Sequence, residues 1–194
     1  MKYDYMIVGG GLAGAILANA LISRSRKLLM FDPGVSASAS RIAAGLFNPF
    51  TGPRMVKTWK ADVLFDFIHR YYPKLQEQLG ASFFHVQDMY RPFKGYDEQN
   101  DWLARRHDPA FAPYIRDVFS APRPGGEVHD PIGGLLQRKS GFVDTVSLLD
   151  ALLDHIGRRA DLRTDRLDED LLRVGRNGIR YGHYEAERII FCTG

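Results

Sequence analysis

The sequence predicts an α/β fold that opens on a βαβ unit, and three observations predict it. Tyr5-Met6-Ile7-Val8 is short, apolar and partly β-branched, the pattern of a parallel strand buried on both faces. It runs directly into Gly9-Gly10-Gly11-Leu12-Ala13-Gly14, which fits G-x-G-x-x-G. A second apolar run, "KLLMFD", ends on the carboxylate of Asp32.

Between the two runs the sequence reads as a helix. Ala13, Ile16, Leu17, Ala20 and Leu21 recur at helical spacing and predict one apolar stripe. Arg24, Arg26 and Lys27 follow at the C-terminal end, where cations favour the helix dipole. The glycines therefore stand between a strand and a helix, the context a dinucleotide fingerprint requires. Gly9 permits the tight turn, Gly11 lets the backbone approach a pyrophosphate, and Gly14 lets the helix pack close to the strand. The helix N-terminus offers unpaired N–H groups to phosphate oxygens. Asp32 lies at roughly the 20-residue distance at which a carboxylate binds a ribose 2′-hydroxyl. The same carboxylate would repel a 2′-phosphate, which disfavours NADP. These features do not separate NAD from FAD, since both carry an adenosine diphosphate half.

Composition bounds the rest. The 194 residues suffice for one large domain or two small ones. A hydrophobic content of 45% with 25% charged residues supports a folded core. The net charge of +3 is spread along the chain without a basic run, which argues against a nucleic-acid partner. The single cysteine, Cys192, excludes an internal disulfide and reads as a buried thiol in the apolar run "RIIFCTG". No span approaches the ~20 apolar residues of a membrane helix, and the opening residues read as a strand. A cytoplasmic protein without a membrane partner is expected.

The middle of the chain predicts a helix over 57–79, with Trp59, Val63, Phe67, Tyr71, Leu75 and Leu79 forming a core-facing stripe and Gly80 stopping it. His69 falls at its polar edge. Residues 82–93 alternate as a strand, a short helix is expected near 97–106, and 127–144 reads as strand, turn, strand, turn. Residues 144–157 read as a helix carrying Val146, Leu149, Leu152, Leu153 and Ile156 inward. Strands are expected near 161–164, 171–174, 178–181 and 188–192. The histidines show no metal-ligand spacing, and there is neither a G-x-S-x-G elbow nor a Walker lysine. Asp165, Asp168, Glu169 and Asp170 alternate with Arg163 and Arg166, which reads as a solvated turn. No metal site is predicted. Arg54 and Lys57 read as surface cations, with a place facing an anionic substrate as the alternative.

Residues 36–59, "SASASRIAAGLFNPFTGPRMVKTW", separate the two nucleotides. Ser38 and Ser40 are placed to cap a short helix over 40–44. Ala43, Ala44 and Gly45 carry no bulk, so a flat ring system can lie against them. The chain here resembles the D-amino acid oxidase-like FAD-dependent oxidoreductases, the glycine oxidase and sarcosine oxidase type. The resemblance rests on "DYMIVGGGLAGAILANAL", "FDPG", "SRIAAGLFNP", "SGFVDTVSLLDALL" and "AERIIFCTG", in that order along the chain.

The resemblance implies a Rossmann-like FAD-binding domain interleaved with part of an α+β substrate domain. The first would comprise residues 1–51 and 141–194, the second 52–140. It implies oxidation of an amine or amino acid by hydride transfer to flavin N5. It implies pyrophosphate contacts from Gly9, Gly11, Leu12, Ala13 and Gly14, and a ribose contact from Asp32. Ser40, Arg41, Ala44, Gly45 and Leu46 would border the pyrophosphate and flavin, and Thr193 and Gly194 would close over the cofactor. For Arg41 the alternative is a surface arginine. No residue is identified as catalytic.

Family members are nearly twice as long, so an N-terminal fragment is expected, with the oxidase reaction incomplete in this chain alone. Surface left uncovered would favour self-association. Two further readings are the flavin domain of a tRNA-modifying enzyme and a non-catalytic FAD-binding module.

Overall fold

The computed structural model describes residues 1–34, 38–123, 125, 128–176 and 178–193. In chain order the elements are β1 (Lys2–Val8), α1 (Leu12–Ile22), β2 (Leu28–Phe31), α2 (Ala39–Ile42), β3 (Leu46–Phe47), β4 (Phe50–Thr51) and β5 (Val56–Lys57). Then come α3 (Ala61–Leu79), β6 (Phe84–Val86), β7 (Met89–Pro92), α4 (Tyr96–Arg105), β8 (Ile115–Phe119), β9 (Gly134–Gln137) and β10 (Gly141–Val143). The chain closes with α5 (Thr145–Gly157), β11 (Asp161–Arg163), β12 (Leu172–Gly175), β13 (Gly178–Tyr181) and β14 (Tyr184–Phe191).

These elements form two units. The first holds residues 1–44, 79–83 and 144–194; the second holds 45–78 and 84–143.

The first unit is an α/β layer structure built on one six-stranded sheet, ordered β11-β2-β1-β14-β13-β12. The four strands from β11 to β14 are parallel, and β13 and β12 extend them as an antiparallel ribbon. β1 and β2 read as apolar because both are covered: Met6, Ile7, Leu29 and Met30 have no exposed surface. One sheet face carries Tyr3, Met6, Val8, Leu29 and Phe31, closed by Leu167 and Ala186. α1 and α5 pack against each other, α1 on β1 and β2, and α5 on β11. α5 starts at Asp144, whose carboxylate accepts from the N–H groups of Val146 (3.1 Å) and Ser147 (3.0 Å), an N-cap.

Two sequence expectations shift here. The buried line of α1 is Gly14, Ala15, Ala18 and Asn19, whereas Ala13 is exposed and Ile16, Leu17, Ala20 and Leu21 are half-buried. The helix is apolar on nearly every side, so periodicity cannot choose its inner face; small residues take it because they allow close approach. The predicted buried thiol of Cys192 is half-buried, and Phe191 beside it is 45% exposed. Both lie at the carboxyl edge of the sheet, where the layer of covering residues ends.

The second unit has a three-stranded sheet β3-β10-β6, a hairpin β4-β5 and a three-stranded sheet β7-β9-β8. Its core is aromatic, with Phe50, Phe65, Phe93, Trp102 and Tyr114 packed on Met55 and Leu135. The single strand expected over 82–93 is two strands in different sheets, β6 and β7, because the chain turns at Gln87 and Asp88. β8 was not anticipated; "IRDVF" buries Ile115 and Val118 while its charges stay outside.

α3 departs most from expectation. Residues 56–57 belong to β5, and the helix begins at Ala61. Its inner line is Ala61, Phe65 and Leu75, whereas Trp59, Val63 and Phe67 are 74%, 67% and 52% exposed. Four residues advance a helix by about 400°, so a strict every-fourth-residue stripe drifts about 40° per step and winds off the core. His69 is not at a polar edge. It sits between Phe47 and Phe84, and neither ring nitrogen has a hydrogen-bond partner among the described residues. Burial holds its pKa below the ordinary value.

Candidate functional site

The carboxyl ends of β2, β1 and β14 are in register, with Val8 level with both Phe31 and Phe191. The backbone holds the next residues together: Gly9 N–H donates to Phe31 O (2.8 Å), and Cys192 N–H to Val8 O (2.7 Å). Gly9, Asp32 and Cys192 therefore stand side by side at one sheet edge. The connection from β1 leaves toward β2 on one side, while β14 lies on the other. Ligands of open α/β sheets bind at such a switch point.

The glycine turn is shaped by contact. Gly9 has φ +103°, and a Cβ there would come within 2.7 Å of Cys192 O. A Cβ on Gly10 would strike the Asp32 carboxylate, and one on Gly14 would strike the Gly9 carbonyl. The backbone here is bare because neighbouring atoms already occupy the side-chain positions. Gly11 caps α1 without any side-chain bond of its own. Among the described residues, the N–H groups of Ala13 and Gly14 find no acceptor. The Leu12 N–H donates to Ser40 Oγ at 3.0 Å. Asp32 is half-buried, and its carboxylate accepts no hydrogen bond among the described residues.

α2 lies across this edge. It runs over Ala39–Ile42, starting one residue and ending two residues before the expected 40–44, and Ser38 at its N-cap makes no side-chain cap bond. Ser40 sits inside the helix instead of capping it, and its hydroxyl points to α1. Arg41 donates to Asp150 of α5 at 2.7 Å, so its charge is engaged within the unit. The Ala43 carbonyl accepts from Thr145 Oγ1 at 3.3 Å. Three contacts thus tie 40–43 to the start of α1 and to the first two turns of α5.

Among the other predicted site residues, Ala44 ends the first unit and is exposed, and Thr193 is exposed with its N–H close to Gly9. Gly45 and Leu46 belong to the second unit; Gly45 has φ +65°, and Leu46 pairs with Phe142 in the β3-β10 ladder. Gly194 lies outside the described residues. Four residues at the edge were not among the predicted site residues: Gly10, Thr145, Asp150 and Cys192. Cys192 Cβ would stand 3.2 Å from a side chain at Gly14, and burial raises its thiol pKa. Only Gly10 carried a signal, since three successive glycines exceed what the fingerprint demands.

Lys57 bonds both carboxylate oxygens of Asp62 at 2.8 Å and the Ala110 carbonyl at 2.9 Å, which makes it a structural cation. Asp165 pairs with Arg163, and Asp168 caps a short 3-10 turn. Among the described residues, no three His, Cys, Asp or Glu side chains are grouped to hold a metal, and no helix is long and apolar enough to cross a membrane.

The edge fits the pyrophosphate half of a dinucleotide. It presents bare backbone at Gly9 and Gly11 and, among the described residues, N–H groups without acceptors at the start of an 11-residue helix and a carboxylate without a partner at Asp32.

A family model described as FAD dependent oxidoreductase (DAO) matches residues 4–194. Among solved structures, glycine oxidase from Bacillus cereus aligns over 100% of this chain and 55% of its own, at 21% identity and a TM-score of 0.70. L-amino acid deaminase from Proteus myxofaciens aligns over 100% and 46%, at 14% identity and a TM-score of 0.72. Iminodiacetate oxidase from Chelativorans sp. BNC1 aligns over 98% and 55%, at 20% identity and a TM-score of 0.70. The chain spans about half the length of these structures, and at such identities the likeness is one of fold. Since the family match runs over nearly all of its residues, the chain belongs to the FAD dependent oxidoreductase family, and its cofactor is FAD.

Proposed function

We propose that residues 1–51 and 141–194 form the FAD-binding part of an oxidoreductase that acts on CH–NH or CH–NH2 groups of an amine or amino acid. Residues 52–140 are its partial substrate domain. The observation that carries this reading is the meeting of the glycine turn, Asp32 and Ser40 at the carboxyl ends of β1 and β2.

When bound, the isoalloxazine supplies the redox chemistry, accepting the electrons of the C–N oxidation. The chain's own residues bind and orient. The N–H groups of Leu12, Ala13 and Gly14 hold the pyrophosphate, aided by the positive end of α1. The Asp32 carboxylate accepts from the adenosine ribose hydroxyls. Ser40 and Ala44 border the pyrophosphate and flavin, with Arg41 fixed by Asp150. Thr193 closes the edge. The amine-oxidising reaction is that of a longer polypeptide, to which this chain contributes the cofactor-binding half. The names of the aligned proteins, oxidases and deaminases of amino acids and of iminodiacetate, support the substrate class.

The test is a titration of the purified chain with FAD. The two visible flavin bands should comigrate with protein on gel filtration, and NADH should not compete. A chain that stays colourless at saturating FAD would sink the reading.

A further inference from the structure

The Ser40 hydroxyl stands where the proposed reading puts a phosphate oxygen. α1 has no side-chain cap at Gly11, and four N–H groups at any helix start need acceptors. One of them, on Leu12, is satisfied from 28 residues away by Ser40 Oγ at 3.0 Å. The hydroxyl also sits 3.0 Å from where a Gly11 side chain would be, in the space that the glycine leaves open. α2 is held in place to deliver it, by Arg41 on Asp150 and by Thr145 on the Ala43 carbonyl.

We infer that Ser40 is an internal stand-in for the cofactor's pyrophosphate: it caps α1 in the cofactor-free chain and yields the Leu12 N–H when FAD binds. The inference rests on the proposed binding of FAD at this edge. A hydroxyl is both donor and acceptor. In the free chain Ser40 uses its acceptor side toward Leu12. A phosphate oxygen is the stronger acceptor for that N–H, because it is charged and helix starts favour anions. Once displaced, the hydroxyl turns and donates its proton to the same phosphate. The helix start therefore keeps an acceptor throughout, and the segment 38–44 is already docked when FAD arrives.

The handover predicts opposite effects on the free and bound states. Ser40→Asp places a permanent anion over α1; it should raise the Tm of the cofactor-free chain and weaken FAD binding by roughly 100-fold, through charge repulsion and a better competing cap. Ser40→Ala should lower the cofactor-free Tm and weaken FAD binding by about tenfold, the loss of one hydrogen bond to a charged group. Ser40→Thr retains the hydroxyl and should restore both. The amide resonance of Leu12 should move on Ser40→Ala and move again when FAD is added to the wild type.

Aspartate that stabilises the free chain while leaving FAD affinity unchanged would overturn the handover. So would alanine and aspartate that both leave the cofactor-free Tm unmoved. A wild-type chain that takes up no FAD overturns the functional reading and the handover with it, whereas the Tm series in the absence of FAD reports the cap by itself.

Discussion

The Asp32 carboxylate lies against the Cα of Gly10, in the position that a side chain at residue 10 would occupy. The two residues are coupled by contact alone. Gly10→Ala should push the carboxylate aside and weaken FAD binding by about tenfold, as should Asp32→Ala. Because both changes remove the same interaction, the double variant should bind no more weakly than Asp32→Ala. Fluorescence titration with FAD checks this; losses that add in the double variant would show that the residues act separately.

Gly14 meets a harder limit. A Cβ there runs into the Gly9 carbonyl, which is backbone and cannot rotate away. Gly14→Ala should cost about 1–3 kcal/mol, the usual range for overpacking. Denaturant unfolding of the cofactor-free chain measures it. Stability within error of wild type would mean that α1 shifts freely on the sheet.

α5 depends on its first residue. The Asp144 carboxylate serves the N–H groups of Val146 and Ser147 and the Ser147 hydroxyl. Asp144→Ala should destabilise the first unit by about 1 kcal/mol, and Asp144→Asn by less, since an amide oxygen still caps. The order of the two midpoints is the informative result.

The expected pH dependence follows from His69. Its folded pKa lies below the ordinary 6.5 because burial disfavours the charged ring, and Lys139 adds to the effect while Asp66 opposes it. The unfolded chain thus binds the proton more readily. Stability attributable to this ring is full above about pH 6.5 and falls as the pH drops below it. His69→Phe, which fits the ring between Phe47 and Phe84, should flatten the fall in urea midpoint between about pH 7.5 and 5. His155, also depressed by burial, leaves a residual slope. An unchanged slope in the variant would remove His69 from the account.

The βαβ unit was legible because its signals are local. Strand, glycine turn and closing carboxylate follow one another within 32 residues, so the pattern can be read without knowing the distant Cys192 wall that completes the turn. α5 was legible in its extent, and Leu149, Leu152 and Ile156 are buried as expected, but Val146 is 43% exposed, Leu153 is half-buried and Leu148 takes the inner place. α3 was misread because Trp59, Val63 and Phe67 imitate a stripe whose spacing is slightly longer than the helical repeat. α1 gave no inner face because nearly all of its faces are apolar. Ser40 looked like a cap for its own short helix; its partner, Leu12, is fixed only by how α2 docks. Asp150 carried no signal at all, because its role is set by one ion pair across the fold.

β14 lies between β1 and β13 at the centre of the six-stranded sheet, and it pairs with β1 from Lys2 to Val8. One edge of β1 thus waits for a strand that is synthesised about 180 residues later. Until residues 184–191 emerge, β1 pairs only with β2, and the glycine turn lacks the Cys192 wall that shapes it. Residues 45–78 and 84–143 have no such dependence, for their strands find partners within that stretch. During synthesis residues 45–143 are therefore free to form their strand pairs first, and the β1–β14 edge is the late event of folding. A pause or truncation shortly before residue 184 would spare the former and leave the latter with an open, apolar strand edge.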